Sequence, residues 1–98
     1  MPTTAYRYLF REKTPPDEVE ATLVLAIFAV EALHGESQTR LDANHAFDAD
    51  LRTVVIAAAT PVGRDLNRVF VGLMTREFGT GSFRVERVPH HQPEPVTA

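Results

Sequence analysis

The stretches Thr14-Pro15-Pro16-Asp17 and Thr60-Pro61-Val62-Gly63 share one pattern, and its repetition is the strongest indication of the fold in this sequence. In each stretch a threonine suited to cap a helix precedes a proline, whose fixed φ favours the first helical position. Each helical pattern that follows runs to a glycine, Gly35 or Gly79, where a left-handed backbone can end the helix. The sequence therefore predicts two helices with the same start and the same stop.

Strand-like runs flank both predicted helices. The runs before the helices are 6–10 and 53–57, and the runs after them are 37–47 and 82–88. Between the second and third runs lies Asp48-Ala49-Asp50-Leu51, a composition typical of a hairpin turn. A β-α-β unit repeated around a central hairpin predicts an α+β fold, a ferredoxin-like βαββαβ sandwich. We therefore expect a four-stranded antiparallel sheet with two helices on one face.

The chain has 98 residues, no cysteine and a formal net charge of −3. This length predicts one domain, which we place at 1–88, followed by a flexible tail at 89–98 that contains three prolines. The lack of cysteine excludes disulfides, thiol nucleophiles and thiolate metal sites. The longest apolar stretch, 23–30, is far shorter than the roughly 20 residues that span a bilayer. We expect a cytoplasmic protein with no membrane partner, no cofactor and no metal ion.

The first helical pattern is apolar on two sides. One side supplies enough residues for a core, namely Val19, Leu23, Ala26, Ile27, Val30 and Leu33. The opposite side carries Ala21, Val24, Leu25 and Phe28, framed by glutamates. The outer face of a helix in a two-layer domain normally meets water, so this second apolar side predicts a covering partner. The alternative is that the tail or a loop lies over it.

The leading functional hypothesis is therefore a small non-enzymatic interaction module, either a homo-oligomer or an adaptor. It would dock through the outer side of its first helix, with Ala21, Val24, Leu25 and Phe28 as the partner-binding residues. An RNA-recognition role is not expected, because the third strand run has no aromatic residue on which a base could stack. The net negative charge also argues against nucleic acid as a partner.

The second hypothesis is a small anionic-ligand-binding domain or a simple acid/base enzyme. Four arginines are expected on the open face of the sheet, beside Asp42 and Glu86: Arg7, Arg11, Arg40 and Arg84. His45 is the candidate acid or base, because histidine ordinarily titrates near neutral pH. The alternative for these groups is ordinary solvation with cross-strand ion pairs.

Overall fold

This computed structural model describes residues 3–90, which form four strands and three α-helices. The elements are β1 (Thr3–Phe10), α1 (Pro16–His34), α2 (Glu36–Asp42), β2 (His45–Asp48), β3 (Thr53–Ala57), α3 (Pro61–Phe78) and β4 (Phe83–His90), with one turn of 3₁₀ helix at Thr80–Ser82. The strands form one open antiparallel sheet in the order β2-β3-β1-β4. The predicted α+β class and four-stranded antiparallel sheet are thus confirmed, and a third α-helix is added.

The repeated sequence pattern sets the ends of the long helices. The hydroxyl oxygen of Thr60 accepts a hydrogen bond from the backbone N–H of Gly63 at 2.9 Å, as predicted for a capping threonine. Gly35 and Gly79 follow α1 and α3 with φ of 86° and 89°. These positive φ angles are accessible to glycine at little cost, so both helices stop where the sequence predicted.

The start of α1 differs from the prediction. The capping position is taken by Pro15, which offers no side-chain hydrogen bond to the first turn. Thr14 is buried instead, and its hydroxyl donates to the carbonyl oxygen of Ser82 at 3.5 Å. Thr14 therefore ties the loop before α1 to the residue that precedes β4.

A short helix replaces most of the predicted second strand. We expected an extended run over 37–47, whereas Glu36–Asp42 is helical and only His45–Asp48 pairs with β3. The side chains of Glu36 and Arg40 form an ion pair across one turn of this helix. Oppositely charged residues four positions apart stabilise a helix. The polar residues of this run therefore lie on the exposed surface of a helix, where a strand was expected.

Helices α1 and α3 pack on one face of the sheet. The register places Tyr8 opposite Val54 and Tyr6 opposite Ile56, so these side chains point to the same face. The buried apolar core consists of Tyr8, Phe10, Val19, Leu23, Ala26, Val30, Val54, Ile56, Val62, Leu66, Phe70 and Met74. The predicted inward direction of the β1 aromatic residues is confirmed for Tyr8 and Phe10.

Leu33 is not part of this core, contrary to the prediction, because 71% of it is exposed. The next residue, His34, turns toward α3 in its place. The Nε2 atom of His34 lies 2.7 Å from the Oδ2 atom of Asp65. The last turn of α1 thus meets α3 through a polar contact and leaves its final leucine in water.

The predicted tail at 89–98 falls mostly outside the described residues. Within them, β4 continues through Pro89 and His90, which pair with Thr4 and Thr3. The rest of the predicted tail, 91–98, lies beyond the part that the structure describes. Among the described helices, none has the length and apolar character needed to cross a bilayer.

Candidate functional site

The outer face of α1 is an exposed apolar surface. Leu25 and Phe28 are each 59% exposed, and Val24 is 42% exposed. Ala21 is exposed on the same side of the helix. The structure therefore brings together, on the solvent side of α1, the four residues that the sequence singled out.

This surface extends further along the helix than the sequence indicated. We call it the α1 patch and define it as Ala21, Val24, Leu25, Phe28, Ala29, Ala32 and Leu33, all of which are exposed. The patch spans about 18 Å, because an α-helix rises 1.5 Å per residue and twelve steps separate its ends. It is an unbroken apolar strip on the water-facing side of the longest helix.

The open face of the sheet carries two of the predicted arginines. Arg7 and Arg84 lie on this face with Glu86, whose carboxylate accepts from Arg7 at 2.8 Å and from Arg84 at 3.1 Å. The hydrogen bond from Arg7 lowers the pKa of Glu86, and the positive charges of Arg7 and Arg84 lower it further. One carboxylate therefore contacts both arginines and neutralises part of their positive charge.

Arg40 does not join them, whereas Arg11 lines a small pocket together with Arg84. Arg40 and Asp42 lie on α2 instead of the second strand, which corrects the expectation that both are on the open face. Arg40 is paired there with Glu36. Arg11 follows the end of β1, where its Nε donates to the carbonyl oxygen of Gly81. Arg40 is thus separated from the predicted group of four arginines, while Arg7 and Arg11 both lie near Arg84.

His45 lies apart from the arginines as well. It is exposed on the edge strand β2 and pairs with Ile56, whose side chain faces the helices. Its Nδ1 atom is 2.7 Å from the carbonyl oxygen of Ala43. Because Arg7 and Arg84 are on the other face of the sheet, the structure does not assemble His45 with them into one site.

A groove that the sequence did not predict lies on the helix side of the sheet, between α3 and β4. Its volume is about 680 Å³. Its rim and floor are formed chiefly by Tyr6, Tyr8, Arg64, Arg68, Val85 and Arg87. Since β4 is an edge strand, the helix-side residues of β4 remain partly uncovered, and Val85 is 43% exposed.

The spacing of residues on α3 forms one wall of the groove. Arg64, Arg68 and Gly72 are four residues apart, so they lie along one side of the helix. Gly72 leaves the third position of this row empty, and a β-carbon there would have no atom within 4 Å. On the opposite wall, Arg87 pairs in register with Tyr6 and therefore points to the same face of the sheet.

Hydrogen bonds fix the floor of the groove. The hydroxyl of Tyr8 donates to the Oδ1 atom of Asn67 at 2.5 Å, and the Nδ2 atom of Asn67 donates to the carbonyl oxygen of Gly63 at 2.8 Å. Both side chains are buried. Burial raises the pKa of Tyr8 well above its ordinary value, so its hydroxyl remains a hydrogen-bond donor even in alkaline solution.

Comparison of the chain with protein-family models, with curated proteins and with solved structures gave no significant match. Function must therefore be inferred from the surfaces themselves. Two surfaces stand out by their chemistry, the α1 patch and the groove between α3 and β4.

The three arginines that line the groove are candidate binding residues that the sequence did not single out. Within residues 3–90, no carboxylate lies within 4.0 Å of the guanidinium nitrogens of Arg64, Arg68 or Arg87. The spacing of Arg64 and Arg68 was visible in the sequence, whereas the position of Arg87 depends on the strand register. In the same part of the chain, no group of three or more His, Asp and Glu side chains is placed to hold a metal ion. The groove is thus suited to bind an anion.

Proposed function

We propose that this protein is a self-associating interaction module, in which the α1 patch of one copy packs against the α1 patch of a second copy. The observation that carries the proposal is the exposure of Leu25 and Phe28 at the middle of a helix whose other side already fills the core. Burying a large apolar side chain is worth about 1.5–3 kcal/mol. Water-exposed apolar strips of this kind are typical of protein contact surfaces.

The alternation of small and large residues in the patch favours a second copy as the occupant. Ala21, Leu25, Ala29 and Leu33 follow one another at intervals of four, which makes one ridge of the helix surface. In a contact with two-fold symmetry the same patch must be complementary to itself. Alanines that alternate with leucines meet this demand, because the leucines of one helix fit beside the alanines of the other.

The size of the patch predicts a reversible dimer. The patch lies on one face of a helix segment about 18 Å long. The surface area that such a face can bury is smaller than the roughly 800 Å² per partner buried in a standard stable interface. We therefore expect monomer and dimer to exchange with protein concentration. A permanent dimer would need additional contacts beyond α1.

Sedimentation velocity over a wide range of protein concentrations tests this proposal. We expect the wild type to shift from one chain to two as the concentration rises. Leu25→Glu and Phe28→Glu place a charge in the patch and should hold the protein as a monomer. The matched control is Leu51→Glu, because Leu51 is 71% exposed but lies in the turn between β2 and β3. It should dimerise like the wild type.

Two outcomes contradict self-association. One is a wild type that stays monomeric at every concentration. This result would indicate that the patch binds a different protein, as in the adaptor role. The other is a Phe28→Glu variant that dimerises as strongly as the wild type. In that case the copies meet through another surface.

We also propose that the fold is the ferredoxin-like arrangement predicted from the repeated β-α-β unit, with α2 as an additional helix. The strand order supports it, because β3 lies between β1 and β2 while β1 lies between β3 and β4. Two interleaved β-α-β units give this order. A cytoplasmic location and a non-enzymatic role stay predictions from the sequence.

A further inference from the structure

We propose that the groove between α3 and β4 binds a small organic anion, an apolar molecule that bears a carboxylate or a phosphate group. This proposal does not depend on self-association, because the groove and the α1 patch are formed by different elements. It places the ligand of the second sequence hypothesis on the helix side of the sheet instead of the open face.

The charge of the groove favours an anion. Arg64 and Arg68 lie one turn apart on α3, and Arg87 lines the same groove from β4. Like charges at this helical spacing repel each other. By contrast, three arginines outside the groove each contact a glutamate: Arg7, Arg40 and Arg84. Arg64, Arg68 and Arg87 form no such ion pair within the described residues and line one groove, whereas the other arginines without an ion pair, Arg11, Arg52 and Arg76, lie outside it.

The geometry of arginine matches the proposed head group. A guanidinium group offers donors in a planar fork, which fits the oxygens of a carboxylate or a phosphate. A head group held from both walls would contact Arg68 on α3 and Arg87 on β4. Its negative charge would also relieve the repulsion between the arginines.

The floor of the groove suits an apolar body on the same molecule. Tyr6 is half-buried beside Arg87, and Val85 and Val71 are partly exposed along the groove. A ring or short chain placed over these side chains would remove their apolar surface from water. The expected ligand therefore has a charged end and an apolar end, which inorganic phosphate does not provide.

The groove is large enough and stiff enough for such a ligand. Its volume of about 680 Å³ lies within the roughly 300–1,000 Å³ of typical small-molecule sites. The hydrogen bonds from Tyr8 through Asn67 to Gly63 hold β1 against α3 beneath it. A floor that is already ordered adds little entropy cost when the ligand binds.

A titration of the full chain followed by NMR of the backbone amides tests the proposal. The probes are phenyl phosphate and benzoate, with benzyl alcohol as the uncharged control. We expect saturable shifts centred on Arg64–Gly72 and Val85–Arg87, with a Kd below about 1 mM for at least one of the two anions. Tighter binding of phenyl phosphate indicates a phosphate ligand, and tighter binding of benzoate indicates a carboxylate.

Matched variants separate the groove from general attraction to a basic surface. Arg68→Gln and Arg87→Gln should each weaken binding about tenfold, because each removes one guanidinium fork from the head group. Arg84→Gln is the control, since Arg84 lies on the same strand as Arg87 but on the other face of the sheet. It should leave binding unchanged. Gly72→Leu, which fills the empty position of the row without changing charge, should weaken binding as well.

Four results overturn the proposal. The first is the absence of saturable shifts with both anions, and the second is benzyl alcohol binding as tightly as they do. The third is equal affinity in Arg68→Gln, Arg87→Gln and the wild type, with folding confirmed by circular dichroism. The fourth is a set of shifts centred on Arg7 and Arg84, which would show that the anion binds to the open face of the sheet. Phe28→Glu should bind the anions normally, so failure of the dimer does not affect this test.

Discussion

Arg52 shows how much of this fold depends on a single side chain that the sequence did not single out. It has a φ of 55°, the one positive value among the described non-glycine residues. Its guanidinium group lies 4.8 Å from the centre of the Phe10 ring and donates to the carbonyl oxygens of Phe10, Arg11 and Thr14. Arg52 therefore fastens the β2–β3 hairpin to the loop after β1. Such contacts between residues about forty positions apart arise from the fold and have no local pattern.

Tyr8 provides a prediction about pH. Burial raises its pKa well above the ordinary value, and the charge that Tyr6 gains nearby raises it further. In the unfolded chain a tyrosine loses its proton near pH 10, whereas in the folded protein Tyr8 keeps it. The stabilising effect of this difference is complete below about pH 10. It is then lost at about 1.4 kcal/mol per pH unit as the pH rises further.

Urea unfolding between pH 8 and pH 11 measures this loss. Tyr8→Phe should remove most of the alkaline decline in the free energy of unfolding. The matched control is Tyr6→Phe, because Tyr6 is on the same strand but only half-buried. That variant should retain the decline. An equally steep decline in Tyr8→Phe would show that another group is responsible.

At the level of elements, the sequence predicts best where its signals repeat. The Thr-Pro start and the glycine stop located α1 and α3 because both are local features of the backbone. The seven-residue α2 was missed because it carries no such start and its polar residues resemble an exposed strand. Its signal lay in pairs four residues apart, Glu36 with Arg40 and Gln38 with Asp42, which are in contact in the structure.

The two glycines of α3 provide opposite predictions for the same substitution. A β-carbon at Gly63 would overlap the carbonyl oxygen of Ala57, so Gly63 allows α3 to approach the end of β3 closely. Gly63→Ala should therefore lower the free energy of unfolding by about 1–3 kcal/mol. Gly72 has no neighbour in the way, and Gly72→Ala should raise it by about 0.5–1 kcal/mol through helix propensity.

Thermal unfolding of both alanine variants at one protein concentration checks this pair. Each glycine serves as the control for the other, since the helix and the substitution are the same. Similar changes of melting temperature in both variants would contradict the contact between Gly63 and β3. They would indicate that intrinsic propensity alone decides the effect.

At the level of the whole molecule, the two candidate surfaces differ in how far the sequence could predict them. The centre of the α1 patch follows from helical periodicity alone, so Leu25 and Phe28 could be identified without knowing the fold, whereas Leu33 was expected in the core. The groove requires the register of β4 against β1, which sets Arg87 beside Tyr6, and the side on which α3 packs. Arg40 was wrongly expected on the open face of the sheet, because part of the predicted second strand is helical and carries Arg40 away from that face.

Self-association also predicts how the stability of the whole molecule responds to concentration. Dimerisation of the folded state alone stabilises it by mass action, so the wild-type melting temperature should rise with protein concentration. For a chain of this size we expect about 3–5 °C per tenfold increase once the dimer predominates. Phe28→Glu should show no such rise, yet it should match the wild type at the lowest concentrations, because an exposed substitution in the monomer is nearly neutral. If the variant instead melts lower than the wild type by the same amount at every concentration, Phe28 stabilises the single chain. The α1 patch would then not be a contact surface between copies.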